Sequence, residues 1–117
     1  MLGQNKTIGN KAERFVMKRL RQQGYEPTKA PSKKGYDIKT KKNLIEVKGT
    51  NNANPSHFAL SALEFHTACG NKNYQIYWVD AKRRKIVRIL SQQDIIQNSK
   101  VSVVYRLNLS KLKKKSD

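Results

Sequence analysis

Residues 35–50 read GYDIKTKKNLIEVKGT and contain two short alternating runs separated by a pair of lysines. In the first run Tyr36 and Ile38 alternate with polar residues, and in the second run Ile45 and Val47 do the same. Alternation with a period of two is typical of β-strands, and a polar break between two such runs is typical of a turn. The stretch therefore predicts an antiparallel hairpin with one apolar and one polar face.

Helix and strand patterns flank this hairpin on both sides. Apolar residues at helical spacing predict an amphipathic helix over residues 7–23, and a Ser-x-x-Glu capping box predicts a second helix over 61–68. A third helix is predicted over 91–98. Further strands are predicted over residues 25–30, 74–79, 85–90 and 101–107. We therefore expect one α/β (α+β) domain over residues 1–109, followed by a basic mobile tail over 110–117.

The charge of the chain indicates its class of partner. The 117 residues include 25 Lys or Arg and 8 Asp or Glu, which gives a formal net charge of +17. So large an excess on a small body favours a polyanionic partner, and nucleic acid is the first candidate. An anionic membrane surface and a structural role on the ribosome are the alternatives. The charge alone does not separate a protein that holds nucleic acid from one that cuts it.

Several classes of protein are excluded by composition. Apolar runs are far shorter than the roughly 20 residues that span a bilayer, and the first ten residues lack the apolar stretch of a signal peptide. A single cysteine cannot form an internal disulfide or a cysteine-based zinc site. We expect a protein without membrane association, located in the cytoplasm, and at the nucleoid if the source is prokaryotic.

In a chain so poor in acid, the positions of the carboxylates are informative. Asp37 and Glu46 fall on the polar face of the predicted hairpin, and Lys48 lies on the same face as Glu46 because it is two residues further along the strand. Mg²⁺ prefers oxygen ligands, so Asp37, Glu46 and the backbone carbonyl of Val47 could share such an ion. Lys48 could then stabilise developing negative charge. The alternative is an exposed strand face with ordinary cross-strand ion pairs.

Glu13 is a further candidate for this site. It borders the apolar stripe of the first predicted helix, so it either faces the sheet or pairs with Lys11 or Arg14 at the surface. Glu64 fits the capping box of the second helix, and a capping role is the better interpretation for it.

These residues carry a resemblance to a known superfamily. The sequence G35-Y36-D37, followed by I45-E46-V47-K48 and preceded by a helix with Glu13, resembles the PD-(D/E)XK nucleases, although Tyr36 stands where that superfamily has proline. The resemblance implies a restriction-endonuclease-like fold, in which helices flank a central mixed β-sheet with core order αβββαβ. It also implies Mg²⁺-dependent phosphodiester hydrolysis, with Mn²⁺ able to substitute. Asp37 and Glu46 would be metal ligands, Lys48 the catalytic lysine and Glu13 an assisting carboxylate.

Two branches of the superfamily come closest. GYDI, IEVKGT and YQIYWVD resemble the domain at the C-terminus of the plant protein NO VEIN and its prokaryotic relatives. The stretch GNKAERFVMKRLRQQGYE and the small basic body are also similar to archaeal Holliday junction resolvases.

The resulting hypothesis is a metal-dependent DNA endonuclease, with branched or junction DNA as candidate substrates and RNA not excluded. A non-catalytic nucleic-acid-binding module or subunit on the same fold is the alternative. Because one site cuts one strand, cleavage of a duplex or junction would need two protomers, so a homodimer is expected from function. The residues predicted to contact nucleic acid are Arg14, Lys18, Lys33, Lys34, Thr50, Arg83 and Arg84.

Overall fold

The computed structural model describes residues 2–51, 55 and 57–110, with side chains described from residue 7 onward. The described residues form three helices and five strands. In order they are α1 (Leu2–Gln22), β1 (Thr28–Lys29), β2 (Ile38–Lys39), β3 (Leu44–Thr50), α2 (Ala62–Gly70), β4 (Tyr74–Asp80), β5 (Lys85–Ser91) and α3 (Gln92–Asn98). The predicted tail is described only at residue 110, so its other residues lie outside the described chain.

The strands form one five-stranded mixed sheet in the order β1-β2-β3-β4-β5. β3 and β4 are parallel, and the other neighbouring pairs are antiparallel. The predicted hairpin is present, with Ile38 opposite Ile45, and the turn over residues 81–84 joins β4 to β5 as the sequence predicts. The mixed sheet flanked by helices is therefore confirmed.

Helix α1 covers one face of the sheet with a stripe of Ala12, Val16 and Leu20, each nearly inaccessible to solvent. The stripe packs against apolar side chains of β2, β3 and β4. The helix approaches β3 so closely that a Cβ added to Gly49 would lie 2.6 Å from the Cβ of Ala12. Glycine at position 49 thus sets the distance between the helix and the sheet.

Helices α2 and α3 cover the opposite face, around the buried residues Ala68, Tyr74, Ile76 and Ile95. Both helices begin with complete capping boxes, Ser61 with Glu64 and Ser91 with Asp94. Each box satisfies amide groups that the first turn of a helix otherwise leaves unpaired. The sheet therefore lies between two helical layers, and both of its faces are covered.

Two parts of the predicted hairpin differ in the structure. The polar face of β3 is not open to water, because α2 covers it and leaves Glu46 4% exposed. Tyr36 and Ile38 do not share a face either, since Tyr36 packs on the side of α2 and Ile38 on the side of α1. β2 is regular over only two residues, so the period of two fails before Ile38.

The predicted strand over residues 101–107 is wrong. The chain there has no regular secondary structure, and Val101 and Tyr105 are 94% and 93% exposed. An alternating run forms a strand only when a neighbouring strand accepts its hydrogen bonds. In the described part of the chain the sheet ends at β5, and the run finds no such neighbour. The edge strand predicted over 25–30 is present but is reduced to Thr28–Lys29.

Within the described ranges, no helix combines the length and the apolar character that crossing a lipid bilayer requires.

Candidate active site

The candidate site lies where β2 and β3 separate. The amide of Asp37 still donates to the carbonyl of Ile45 (2.8 Å). The next amide of β3 that faces β2, that of Val47, instead donates to the Asp37 carboxylate at 2.8 Å. A side chain has replaced the main-chain partner, so the strands open at this point. Because N–H and C=O of one strand residue point to the same side, the carbonyl of Val47 also faces the opening.

Gly35 holds the chain in place before Asp37. Its φ of 81° lies in the left-handed region, and a Cβ at this position would overlap the Thr67 hydroxyl of α2. The carbonyl of Gly35 accepts a hydrogen bond of 2.8 Å from the buried Tyr74 hydroxyl. Contacts with α2 and β4 therefore fix the position from which Asp37 reaches β3.

Glu46 and Lys48 point from β3 toward α2, as their spacing predicts. The Lys48 ammonium lies 3.3 Å from a carboxyl oxygen of Glu46 and 3.1 Å from Oε1 of Glu64. The same Oε1 accepts a hydrogen bond of 2.8 Å from the Ser61 amide. Glu64 thus caps α2 and also contacts the lysine of the candidate site.

The carboxyl groups of this cluster differ in their affinity for protons. Burial, a hydrogen bond to Glu64 and the charge of Asp37 raise the pKa of Glu46 to about 9. Burial also opposes ionisation of Glu64, yet the hydrogen bonds from Glu46 and the Ser61 amide, together with Lys48, lower its pKa. Glu46 therefore binds a proton more tightly than an ordinary glutamate does, whereas Glu64, which contacts both the Ser61 amide and the Lys48 ammonium, binds one less tightly.

Neighbouring carboxylates raise the pKa of both Asp37 and Lys48. Burial raises the pKa of Asp37, although the amide of Val47 opposes this effect. Burial alone would lower the pKa of Lys48, but Glu46 and Glu64 raise it, so the lysine is charged. The site holds more carboxyl groups than one lysine can neutralise.

Glu13 reaches the opening from α1, on the other face of the sheet. Its carboxyl lies 3.6 Å from the Lys29 ammonium of β1, and burial and Asp37 raise its pKa. Glu13 therefore faces the sheet, and the predicted alternatives of pairing with Lys11 or Arg14 are not what the structure shows. Glu13, Asp37, Glu46 and Glu64 line one cavity of about 300 Å³, and Lys33 and Lys34 lie at its wall.

The other predicted nucleic-acid contacts lie elsewhere. Arg14, Lys18 and Arg84 line a separate cleft between α1 and the turn that joins β4 to β5. Arg83 forms an ion pair of 2.9 Å with Asp80. Thr50 lines neither cavity; its hydroxyl lies 3.5 Å from the indole nitrogen of Trp78.

The residues present offer an incomplete but suitable set of donors for a divalent cation. Asp37, Glu46 and the Val47 carbonyl bring oxygen atoms to the opening, and burial together with neighbouring carboxylates raises the pKa of both carboxyls. The described residues contain no group of three or more His, Cys, Asp or Glu side chains arranged to hold a metal ion. A cation would therefore depend on the backbone carbonyl, on water and on a bound phosphate.

Two members of the site were not identified from the sequence. For Glu64 the sequence favours a capping role over a role in the site, and for Lys29 it makes no prediction. The capping box could have located Glu64 at the start of α2, but only the packing of α2 over β3 brings it to Lys48. Nothing in the local sequence signals that Lys29 reaches Glu13.

Comparison with known proteins gives one family. Residues 8–90 match the family described as Protein NO VEIN, C-terminal. The match spans most of α1, the candidate site and most of β5. No curated protein and no solved structure gives a significant match.

Proposed function

We propose that this chain, which belongs to the Protein NO VEIN C-terminal family, is a metal-dependent endonuclease that hydrolyses phosphodiester bonds in DNA. The observation that carries the proposal is the convergence of three groups on a chain of net charge +17: Asp37 and Glu46 line one cavity, and the Lys48 ammonium contacts Glu46. We further propose that the fold is restriction-endonuclease-like and that branched DNA is a substrate.

The arrangement of Asp37 favours a role in cation binding. One carboxylate oxygen accepts the Val47 amide, which fixes the orientation of the group and leaves the other oxygen for a second interaction. The Val47 carbonyl faces the same opening, and Glu46 follows from the adjacent position on β3. When bound, Mg²⁺ or Mn²⁺ would polarise a water molecule and neutralise charge on the phosphate.

Lys48 would stabilise negative charge in the transition state. The two glutamates that contact its ammonium line the cavity, and they raise the pKa of the lysine. A fixed charge in a half-buried position acts more strongly on a developing anion than a solvated one does. Lys33 and Lys34, at the wall of the same cavity, would attract the phosphate backbone that enters it.

Incubation of the purified chain with labelled duplex, branched and single-stranded DNA and Mg²⁺ or Mn²⁺ tests the proposal. We expect cleavage by the wild type and a loss of about 1,000-fold or more in Asp37→Asn and Lys48→Met, equivalent to about 4 kcal/mol of barrier. Glu26→Gln and Lys72→Met make the same charge changes at exposed positions outside the cavity and should cut like the wild type. Equal cleavage by all five proteins would overturn the assignment.

A non-catalytic nucleic-acid-binding module is the second candidate. It is favoured by the contacts that Lys48 already makes with two glutamates, since they give the lysine a structural role. This candidate predicts that no DNA or RNA substrate is cut with either metal, and that Glu46→Gln binds DNA as tightly as the wild type with or without Mg²⁺. Cleavage that requires Lys48 would exclude it.

A further inference from the structure

The cleft between α1 and the turn that follows β4 has the composition of an anion-binding surface. It is a depression of about 490 Å³ that contains Phe15 and no acidic residue. Its basic lining residues are Lys11, Arg14, Lys18, Arg19 and Arg84. We call this surface the basic cleft. Five cations without an acid among them repel one another unless an anion lies between them.

The basic cleft and the candidate active site lie on opposite flanks of α1. Lys11, Arg14 and Lys18 are spaced by three and four residues, so they share one face of the helix. Glu13 lies on the other side of the buried stripe and contacts Lys29 of β1. The opposite wall of the basic cleft comes from Ala81 and Arg84, beyond β4.

The register of β3 gives the separation between the two surfaces. Ala81, in the wall of the basic cleft, donates its amide to the carbonyl of Thr50, which is four residues beyond Glu46 on β3, or about 13 Å at 3.3 Å per residue. Glu46 also faces α2, whereas the basic cleft lies on the α1 side of the sheet, so the side chains of the cleft do not reach a phosphate bound at Asp37 and Glu46. They can contact another part of the same backbone or a second nucleic-acid segment.

The backbone of Arg84 adds an independent observation. Its φ is 54°, in the left-handed region that glycine, asparagine and aspartate occupy most readily. An arginine at such a position costs conformational energy, and strain of this kind is concentrated at functional sites. The strain places a guanidinium opposite the cations of α1.

The geometry points to the basic cleft as a second binding site for a nucleic-acid phosphodiester backbone, one that acts without a divalent metal and apart from the candidate active site. The inference rests on nucleic acid as the proposed substrate, but it does not rest on cleavage. The face is not a membrane surface in this interpretation, because its cations line a concave cleft and its phenyl ring is covered by the Arg19 guanidinium, 5.2 Å from the ring centroid.

The inference is tested by the binding of the full chain to short labelled duplex DNA in EDTA. Fluorescence anisotropy measures this binding over a range of salt concentrations. We expect the double variant Arg14→Glu/Lys18→Glu to bind at least tenfold more weakly, with a salt-dependence slope smaller by about 2, since each lost phosphate contact lowers it by about 0.9. Lys41→Glu/Lys42→Glu makes the same charge change at exposed residues outside both cavities and should bind within threefold of the wild type.

Arg84→Ala is a second variant, on a different element, and should weaken duplex binding about threefold or more without touching α1. Glu26→Gln, at an exposed position outside both cavities, should bind in EDTA like the wild type. A wild-type chain that binds duplex DNA but does not cut it would leave this inference standing while the proposed function fails. Equal losses in the two double variants would show that net charge alone matters and would overturn the inference. The inference would also be overturned if Arg14→Glu/Lys18→Glu bound duplex DNA like the wild type but no longer bound anionic phosphatidylserine vesicles.

Discussion

The two faces of β3 have opposite characters although their residues alternate along one strand. Ile45 and Val47 pack under α1 in an entirely apolar cluster, whereas Glu46 and Lys48 lie under α2 among ionisable groups. Both faces are covered by a helix, so burial alone does not distinguish them. The apolar face stabilises the fold. The charged face lowers the stability of the fold, because burying an ionised group costs more free energy than burying a neutral one.

The largest effect on stability is expected on the apolar face. Ile45→Ala removes a side chain that is 1% exposed and leaves a cavity between α1 and the sheet. The free energy of unfolding should fall by about 3 kcal/mol. Urea denaturation followed by circular dichroism measures it. Val87→Ala, on the exposed side of β5, is the control and should cost less than about 1 kcal/mol.

The close approach of α1 to β3 gives the next effect. Gly49→Ala places a Cβ 2.6 Å from that of Ala12 and 3.2 Å from the carbonyl oxygen of Ile8, so the helix must shift. We expect a loss of about 2 kcal/mol. Ala12→Gly in the same chain should recover part of this loss, even though it is itself destabilising. If the two changes in unfolding free energy were strictly additive, the helix would not respond to the added methyl group.

A substitution on the charged face, Glu46→Gln, is expected to increase the free energy of unfolding. In the folded chain Glu46 keeps its proton up to about pH 9, while in the unfolded chain it loses the proton near its ordinary pKa of 4.5. Between these values the unfolded state binds fewer protons, so stability falls as the pH rises. Glu46→Gln lacks this dependence and should be more stable than the wild type by about 1.5 kcal/mol at pH 8.

The advantage of Glu46→Gln should vanish near pH 4.5, where the glutamate is protonated in both states. Thermal melts in metal-free buffer at several pH values measure the difference. Under the proposed function the same variant loses cleavage, so stability and activity would change in opposite directions. A variant that is less stable than the wild type at every pH would contradict the charge distribution described for the site.

The smallest effect is expected at the start of α2. Ser61→Ala removes the hydroxyl that accepts the Glu64 amide, and the free energy of unfolding should fall by about 1 kcal/mol. Ser91→Ala removes the equivalent bond at α3 and serves as the matched control. We expect similar losses of stability in both variants, but a reduction in cleavage only for Ser61→Ala, because Glu64, which contacts Lys48, belongs to the capping box of α2.

The sequence predicted the parts of the molecule that depend on local pattern. The hairpin, the common face of Glu46 and Lys48 and the capping box of α2 follow from spacing alone. The role of Glu64 at Lys48 and the burial of Glu46 depend on how α2 packs across β3, which no local pattern encodes. The false strand over residues 101–107 has the same cause, since its alternation is real and the missing element is a neighbouring strand.

The double use of Glu64 also links local unfolding of α2 to the charge state of the site. One oxygen of this carboxylate accepts both the Ser61 amide and the Lys48 ammonium, so a cation or phosphate that draws Lys48 away changes the electrostatics of the first turn of the helix. The amide of Ser61 would then exchange its hydrogen with solvent at a different rate. Hydrogen exchange at this one backbone position would report on ligand binding beneath α2.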